Sequence, residues 1–332
     1  MQEAQWYKQT KNNQVICHLC PHHCRLQPGA KGICRVRYNE GGKLYTSNYG
    51  QCSQPVLDPI EKKPLYHYYP GSLILSVGTF GCNLQCPFCQ NWHLAHQEPL
   101  LYRGEPTELV EMAELSQKDH SLGLAYTYSE PFVWFEFVLD TAKLAHERGL
   151  KNVLVSNGFI EAEPLEQLLP VIDAFNLDIK GFTEDFYRKI VKGNLRAVLN
   201  SAEQVYKNNK HLEITTLLIP GLNDSKEELE QLVKWIANNL GKEVPVHFSR
   251  YLPNYQMDLP PTTIQKLEEA REIGLKHLDY VYLGNVPGSK GSSTYCPQCG
   301  RMLIERRGHQ AKLTNLKGIN CGSCGYKLNL IK

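Results

Sequence analysis

The sequence predicts an α/β protein, a partial or near-complete (β/α) barrel with small cysteine-rich metal modules at both ends. Three observations carry that prediction. From about residue 72 short apolar strands alternate with helix patterns, as right-handed βαβ units around a parallel sheet require. The unusual polar residues gather just after successive strands, where the mouth of such a barrel would lie. The cysteines fall in blocks at 17, 20, 24 and 34, at 82, 86 and 89, and at 296, 299, 321 and 324, with Cys52 alone.

The chain has 332 residues, 42% hydrophobic and 21% charged, which suits a globular protein and excludes a disordered or fibrous one. No apolar stretch approaches the ~20 residues that span a bilayer, and Met1-Gln-Glu-Ala lacks a basic-then-apolar signal pattern. The expectation is a cytoplasmic protein without membrane association. In a reducing compartment, close-spaced cysteine blocks mean metal sites rather than disulfides. Charge is uneven: residues 1–71 carry 9 Lys and Arg against 4 Asp and Glu, and 296–332 carry 7 against 1. The basic ends would suit an anionic macromolecule, or cations drawn to anionic zinc–thiolate sites.

Four segments are expected: an N-terminal cysteine-rich module at 1–71, the barrel at 72–287, a flexible Gly/Ser linker at 288–294 and a cysteine ribbon at 295–332. In the first, Ile33 to Tyr38 and Lys43 to Ser47 read as a hairpin around Asn39-Glu-Gly-Gly42. The barrel strands are expected at 73–78, 123–128, 152–156, 174–180, 212–219, 244–250 and 279–284. Helices are expected near 106–119, 131–148, 163–170, 183–192, 197–208, 225–240 and 262–274, with Asp224-Ser-Lys-Glu227 as a capping start. The loops that should meet at the mouth carry Ser129-Glu130-Pro131, Asn157-Gly158, Asp178 with Lys180, Pro220 to Asp224, Arg250-Tyr251 and Gly284 to Val286.

Cys82-x3-Cys86-x2-Cys89 follows the first strand. Thiolates are soft donors that select zinc, Cu(I) or iron–sulfur clusters. Three of them leave one position open unless a residue such as His93 or His96 completes a zinc site. An open position on a cluster is where a substrate or cofactor binds, so the loop points to an enzyme. In Asn176-Leu-Asp-Ile-Lys180 alternation puts Asn176, Asp178 and Lys180 on one face; their burial requires pairing or a ligand. Ser129-Glu130-Pro131 also reads as a helix start with Ser129 as the cap. Cys296-x2-Cys299 and Cys321-x2-Cys324, each followed by Gly, are a zinc-ribbon signal, with a second cluster as the lesser alternative. Cys17-x2-Cys20-x3-Cys24-x9-Cys34 fits either zinc or an auxiliary cluster.

The three-cysteine loop after a first barrel strand resembles the radical S-adenosylmethionine (SAM) superfamily. That resemblance implies a [4Fe–4S] cluster on Cys82, Cys86 and Cys89, with SAM chelated to the fourth iron. An electron from the cluster then cleaves SAM to methionine and a 5′-deoxyadenosyl radical that abstracts hydrogen. It implies SAM contacts for Ser129 and Glu130, in place of the family's Gly-Gly-Glu, and for Asn157, Asp178 and Lys180. Lys180 would also border the site of hydrogen abstraction. Cys17 to Cys24, Pro59-Ile-Glu-Lys-Lys-Pro-Leu-Tyr66, Cys89-Gln-Asn-Trp92, the Tyr-Ser-Glu-Pro loop and the ribbon together resemble the AmmeMemoRadiSam system enzymes, relatives of pyruvate formate-lyase activating enzyme. This implies Memo-like and AMMECR-like partners, an electron donor such as flavodoxin or ferredoxin, and room for a macromolecular substrate. The rival readings are a glycyl-radical enzyme activase and a non-catalytic zinc or iron–sulfur protein that contacts nucleic acid or partner proteins.

Overall fold

Eight strands form one sheet whose spatial order follows the chain. They are β1 (Val56–Pro59), β2 (Leu73–Val77), β3 (Ser121–Tyr126), β4 (Lys151–Ser156), β5 (Ala174–Asp178), β6 (His211–Leu218), β7 (Val246–Arg250) and β8 (Val281–Gly284). The computed structural model describes residues 2–286 and 288–332. Met1 and Pro287, which end two of the expected segments, lie outside the described residues. β1 runs antiparallel to β2, and every later neighbour is parallel. Parallel strands need long crossovers, here α1 (Pro106–Leu115), α2 (Phe135–Glu147), α3 (Ala162–Leu168), α4 (Leu195–Lys207), α5 (Lys226–Asn239) and α6 (Ile264–Leu275).

The edge strands β1 and β8 do not pair with each other, so the barrel is partial. The chain after β1 crosses to the far side of the sheet. The Tyr66 ring packs 4.7 Å from His247 of β7 and 4.8 Å from Tyr282 of β8. Beneath it Glu213 of β6, fully buried, accepts hydrogen bonds from the His67 amide at 2.7 Å and from the His211 and His247 rings at 2.9 and 2.7 Å. Burial would raise this carboxylate, but the two imidazoles outweigh it and hold Glu213 well below the usual range.

The helix starts follow their side chains. Asn194 and Ser225 cap α4 and α5, accepting from Ala197 and Glu228 amides. The α5 cap is therefore Ser225, while Asp224 accepts instead from the Gly221 amide at 2.8 Å. Ahead of the barrel, Arg37–Glu40 pairs with Lys43–Thr46, and Gly41 and Gly42 both take positive φ, 62° and 91°. A two-residue turn of that kind demands such conformations. The expected hairpin is thus shorter: Ile33 to Val36 leave the strand because the chain there turns Cys34 toward the other N-terminal thiols.

Residues 288–294 depart from the flexible linker that was expected. Lys290–Ser292 is a helical turn, and Ser292 and Thr294 are buried. Arg306 of the ribbon donates to Thr294 Oγ1 at 2.7 Å and to the Tyr66 carbonyl oxygen at 2.6 Å. It also lies 4.1 Å over the Tyr66 ring. Part of the basic excess at the chain ends is accordingly internal, since Arg37, Lys63 and Arg306 are all buried. Among the described residues no helix is long and apolar enough to cross a membrane.

Candidate active site

A cavity of about 310 Å³ opens at the carboxyl ends of the strands. Its wall takes Cys82, Cys86 and Cys89 after β2, Thr127 to Glu130 after β3, Ser156 and Asn157 from β4, and Asp178 and Lys180 from β5. Thr215 and Leu217 of β6, Ser249 of β7 and Asn285 after β8 also line it. Only a sheet curled around a common axis brings seven consecutive strands to one cavity. Two expected loops do not reach it. Pro220 to Asp224 tie back onto β6 and β5 through Asn223, which donates to the Leu217 and Lys180 carbonyls. Arg250 bonds to Thr262 and Tyr251 is buried, so Ser249 faces the cavity instead.

The three thiols are held in a dry setting. The Cys82 sulfur receives the Leu84 amide at 3.4 Å and the Asn157 carboxamide at 3.6 Å. Burial pushes the Cys82 thiol well above its ordinary value, Cys86 to about 12, and Cys89 upward. Metal-free, all three are neutral, and binding iron must displace their protons. No three of these and neighbouring ligand groups converge within 4.8 Å, unlike the ribbon cysteines. That spacing disfavours a single ion completed by His93 or His96. His96 does line the cavity, stacked on Tyr255 at 5.3 Å.

Lys180 lies one residue pair beyond the end of β5, where its ammonium meets Asp178 Oδ2 at 2.9 Å. Burial alone would lower its pKa, yet the Asp178 carboxylate reverses the sign and holds the ammonium firmly charged. The strand is shorter than the expected 174–180, and Asn176 sits below the cavity. There it donates to the Pro64 carbonyl at 2.8 Å and accepts from Thr215 at 3.0 Å.

Glu130 is 2% exposed and heavily engaged. Oε1 accepts from the Phe132 amide and Ser156 Oγ at 2.9 and 2.7 Å, and Oε2 from the Asn157 amide at 2.9 Å. The helix cap is therefore Glu130 rather than Ser129. Burial pushes its carboxyl up to about 7, against the pull of these three donors. Ser129 Oγ is buried without a partner. An orphaned hydroxyl on the wall of a cavity ringed by three thiols, a lysine and a carboxylate fits a polar ligand carrying both donors and acceptors. Soft donors with a vacant fourth position fit the cluster. Asn157 is committed within the chain: Oδ1 accepts from the Phe159 amide at 2.8 Å, and Nδ2 serves Asn83 Oδ1 at 2.9 Å as well as Cys82.

Sequence reasoning missed a buttress behind Tyr128. Asp58 accepts from Tyr128 Oη and Lys63 at 2.7 Å and from Lys62 at 2.8 Å. Burial would raise Asp58, but these donors outweigh it and hold it well below the usual carboxylate range. Lys62 also lines the cavity. The signal was present in Pro59-Ile-Glu-Lys-Lys-Pro-Leu-Tyr66, where Glu61, Lys62 and Lys63 stand together between two prolines.

At the far end, the ribbon cysteines bring their four sulfurs within 4.8 Å of one another, with Cys296–Cys324 at 3.6 Å and Cys299–Cys321 at 3.7 Å. A zinc with ~2.3 Å bonds in tetrahedral array holds its sulfurs about 3.8 Å apart, so this set fits that ion.

Comparison with known proteins agrees with this geometry. The family model described as the radical SAM superfamily matches residues 76–236. An uncharacterized protein of Methanocaldococcus jannaschii is 43% identical over 338 residues, covering 100% of both chains. The pyruvate formate-lyase-activating enzyme of Clostridium pasteurianum is 26% identical over 161 residues, covering 48% of this chain and 67% of that one. A radical SAM methyltransferase structure from Sphaerobacter thermophilus has a TM-score of 0.53 at 16% identity, covering 70% of this chain and 71% of that one. At that identity the likeness is one of fold. With three thiols on the wall of one cavity at the mouth of a partial barrel, the chain belongs to the radical SAM superfamily and is a radical SAM enzyme.

Proposed function

We propose that this enzyme holds a site-differentiated [4Fe–4S] cluster on Cys82, Cys86 and Cys89 and uses it to cleave SAM reductively, beginning its reaction by hydrogen abstraction. The observation that carries the reading is the single cavity whose wall is built from the three cysteines, Ser129 with its unpartnered hydroxyl, and the Asp178–Lys180 pair. When bound, the cluster and SAM supply the electron and the 5′-deoxyadenosyl radical. The chain's own residues bind and orient. Ser129 Oγ offers a hydrogen bond to the SAM amino acid. Glu130 fixes the loop after β3 against β4 and presents the remaining lone pair of Oε2 to the ammonium. Asn157 steadies the Cys82 sulfur. Asp178 keeps Lys180 charged and directed into the cavity, where its ammonium borders both the SAM carboxylate and the incoming substrate.

The run of motifs from Cys17 to Trp92 supports assignment to the AmmeMemoRadiSam system, with Memo-like and AMMECR-like proteins as partners, zinc in the ribbon and a flavodoxin or ferredoxin as donor in the cytoplasm. A glycyl-radical enzyme activase is the second reading, favoured by the 26% identity to the Clostridium pasteurianum activating enzyme. Anaerobic reconstitution with iron and sulfide, followed by dithionite and SAM, should yield 5′-deoxyadenosine. Protein that binds iron yet forms none would remove the reading. A glycyl-radical EPR signal raised in a partner enzyme would select the activase.

A further inference from the structure

The molecule contains three cysteine groups, and their sulfurs fall into two spacing classes. The ribbon set is closed around one point, as a single ion requires. No three of Cys17, Cys20, Cys24 and Cys34 lie within 4.8 Å of one another, and the same holds for Cys82, Cys86 and Cys89. In a cubane cluster each thiolate binds its own iron at a separate corner, which sets the sulfurs roughly 6 Å apart.

The wider spacing at the N-terminus surrounds a defined space. All four cysteines line one closed, largely apolar cavity walled by Leu19, Leu26 and Val133. Gly32 stands between two of them: a Cβ there would lie 3.7 Å from both the Cys24 and the Cys34 sulfur. Arg37, 1% exposed, also lines the cavity. Its terminal nitrogens are engaged by Glu136 and the Gln5 carbonyl, but its Nε has no partner. A buried N–H facing a ring of sulfurs calls for an acceptor there, and an anionic thiolate cluster supplies one.

We propose that Cys17, Cys20, Cys24 and Cys34 hold a second [4Fe–4S] cluster, ligated at every iron by protein, rather than a single zinc ion. With four thiolates it has no open position and takes no substrate. It lies close behind the three-cysteine loop, since His22 Nε2 is 2.7 Å from the Asn83 carbonyl oxygen and a Cβ on Gly81 would be 2.9 Å from the Cys34 carbonyl oxygen. Arg37, whose charge Glu136 balances, supplies one N–H to sulfur.

The test is a metal count on the full chain after anaerobic reconstitution. Wild type should hold about eight irons, about eight sulfides and about one zinc, and SAM should perturb the EPR signal of one cluster only. The Cys82→Ala/Cys86→Ala/Cys89→Ala variant should keep about four irons, with an EPR signal indifferent to SAM. Because that variant leaves the N-terminal thiols intact, misfolding of N-terminal variants does not blunt the test. About two zincs per chain, or loss of all iron in the loop variant, would overturn the proposal. Wild type with about four irons that survive in the loop variant would uphold it and instead sink SAM cleavage.

Discussion

The floor of the barrel offers a pH prediction that can be worked through in full. His67 is fully buried, with Nδ1 2.6 Å from the Asn329 carbonyl oxygen and Nε2 2.6 Å from Tyr282 Oη. Burial pulls its imidazole from 6.5 down to about 4, against the attraction of Glu213. The folded pKa is thus below the unfolded one, and His67 contributes stability that is complete above pH 6.5 and lost as pH falls toward 4. Each pH unit in that window costs about 1.4 kcal/mol, or about 3 kcal/mol across it. His67→Gln keeps a donor and an acceptor for the same partners but does not titrate. It should be less stable than wild type by about 1 kcal/mol at pH 7.5 and more stable than wild type by pH 4.5. The assay is a urea midpoint for both proteins at half-unit steps, read as their difference, so that acid effects shared by the two cancel. A difference that stays flat within about 0.5 kcal/mol over that range would refute the argument, because the burial penalty would then be absent.

Three further outcomes follow from the site. Cys86→Ala should abolish 5′-deoxyadenosine formation, while Cys52→Ala, altering a buried thiol that does not line the cavity, should leave turnover per bound cluster within about twofold. Lys180→Met should lower SAM cleavage by at least about tenfold in single-turnover assays without changing the iron content, as loss of a charged contact of ~1.5–3 kcal/mol predicts. Gly81→Ala should destabilise the chain by about 2 kcal/mol or more in thermal melts, because φ there is +97° and the new Cβ would come within 2.5 Å of Val36 Cγ1. A melt matching wild type would mean that the N-terminal module is not held tightly against the three-cysteine loop.

Much of the fold was legible because its signals are local. The strand–helix alternation and the turn at Asn39 to Gly42 each depend on residues a few positions apart. The site was legible for a similar reason: Cys82, Cys86 and Cys89 lie within one loop, and Asp178 and Lys180 are two residues apart. What stayed hidden is pairwise and distant. Nothing near Glu130 announces that Ser156 and the Asn157 amide will occupy its oxygens. Nothing in the Gly/Ser composition of 288–294 reveals that Arg306 and Leu283 pack against it.

The cysteine blocks mark the division most clearly. Their residue type and spacing alone marked three places where soft donors gather, and showed that the middle one lacks a fourth thiol. The C-terminal four already read as a zinc ribbon, but the N-terminal four stood between zinc and a cluster as strings of letters. Tertiary packing separates them, drawing the ribbon sulfurs to within 4.8 Å while the N-terminal ones are held apart around a space faced by Arg37. The reason is physical: spacing along a chain limits which sulfurs can meet, but the distance at which they stop is set by the walls behind them, and those walls come from residues as remote as Val133 and Glu136.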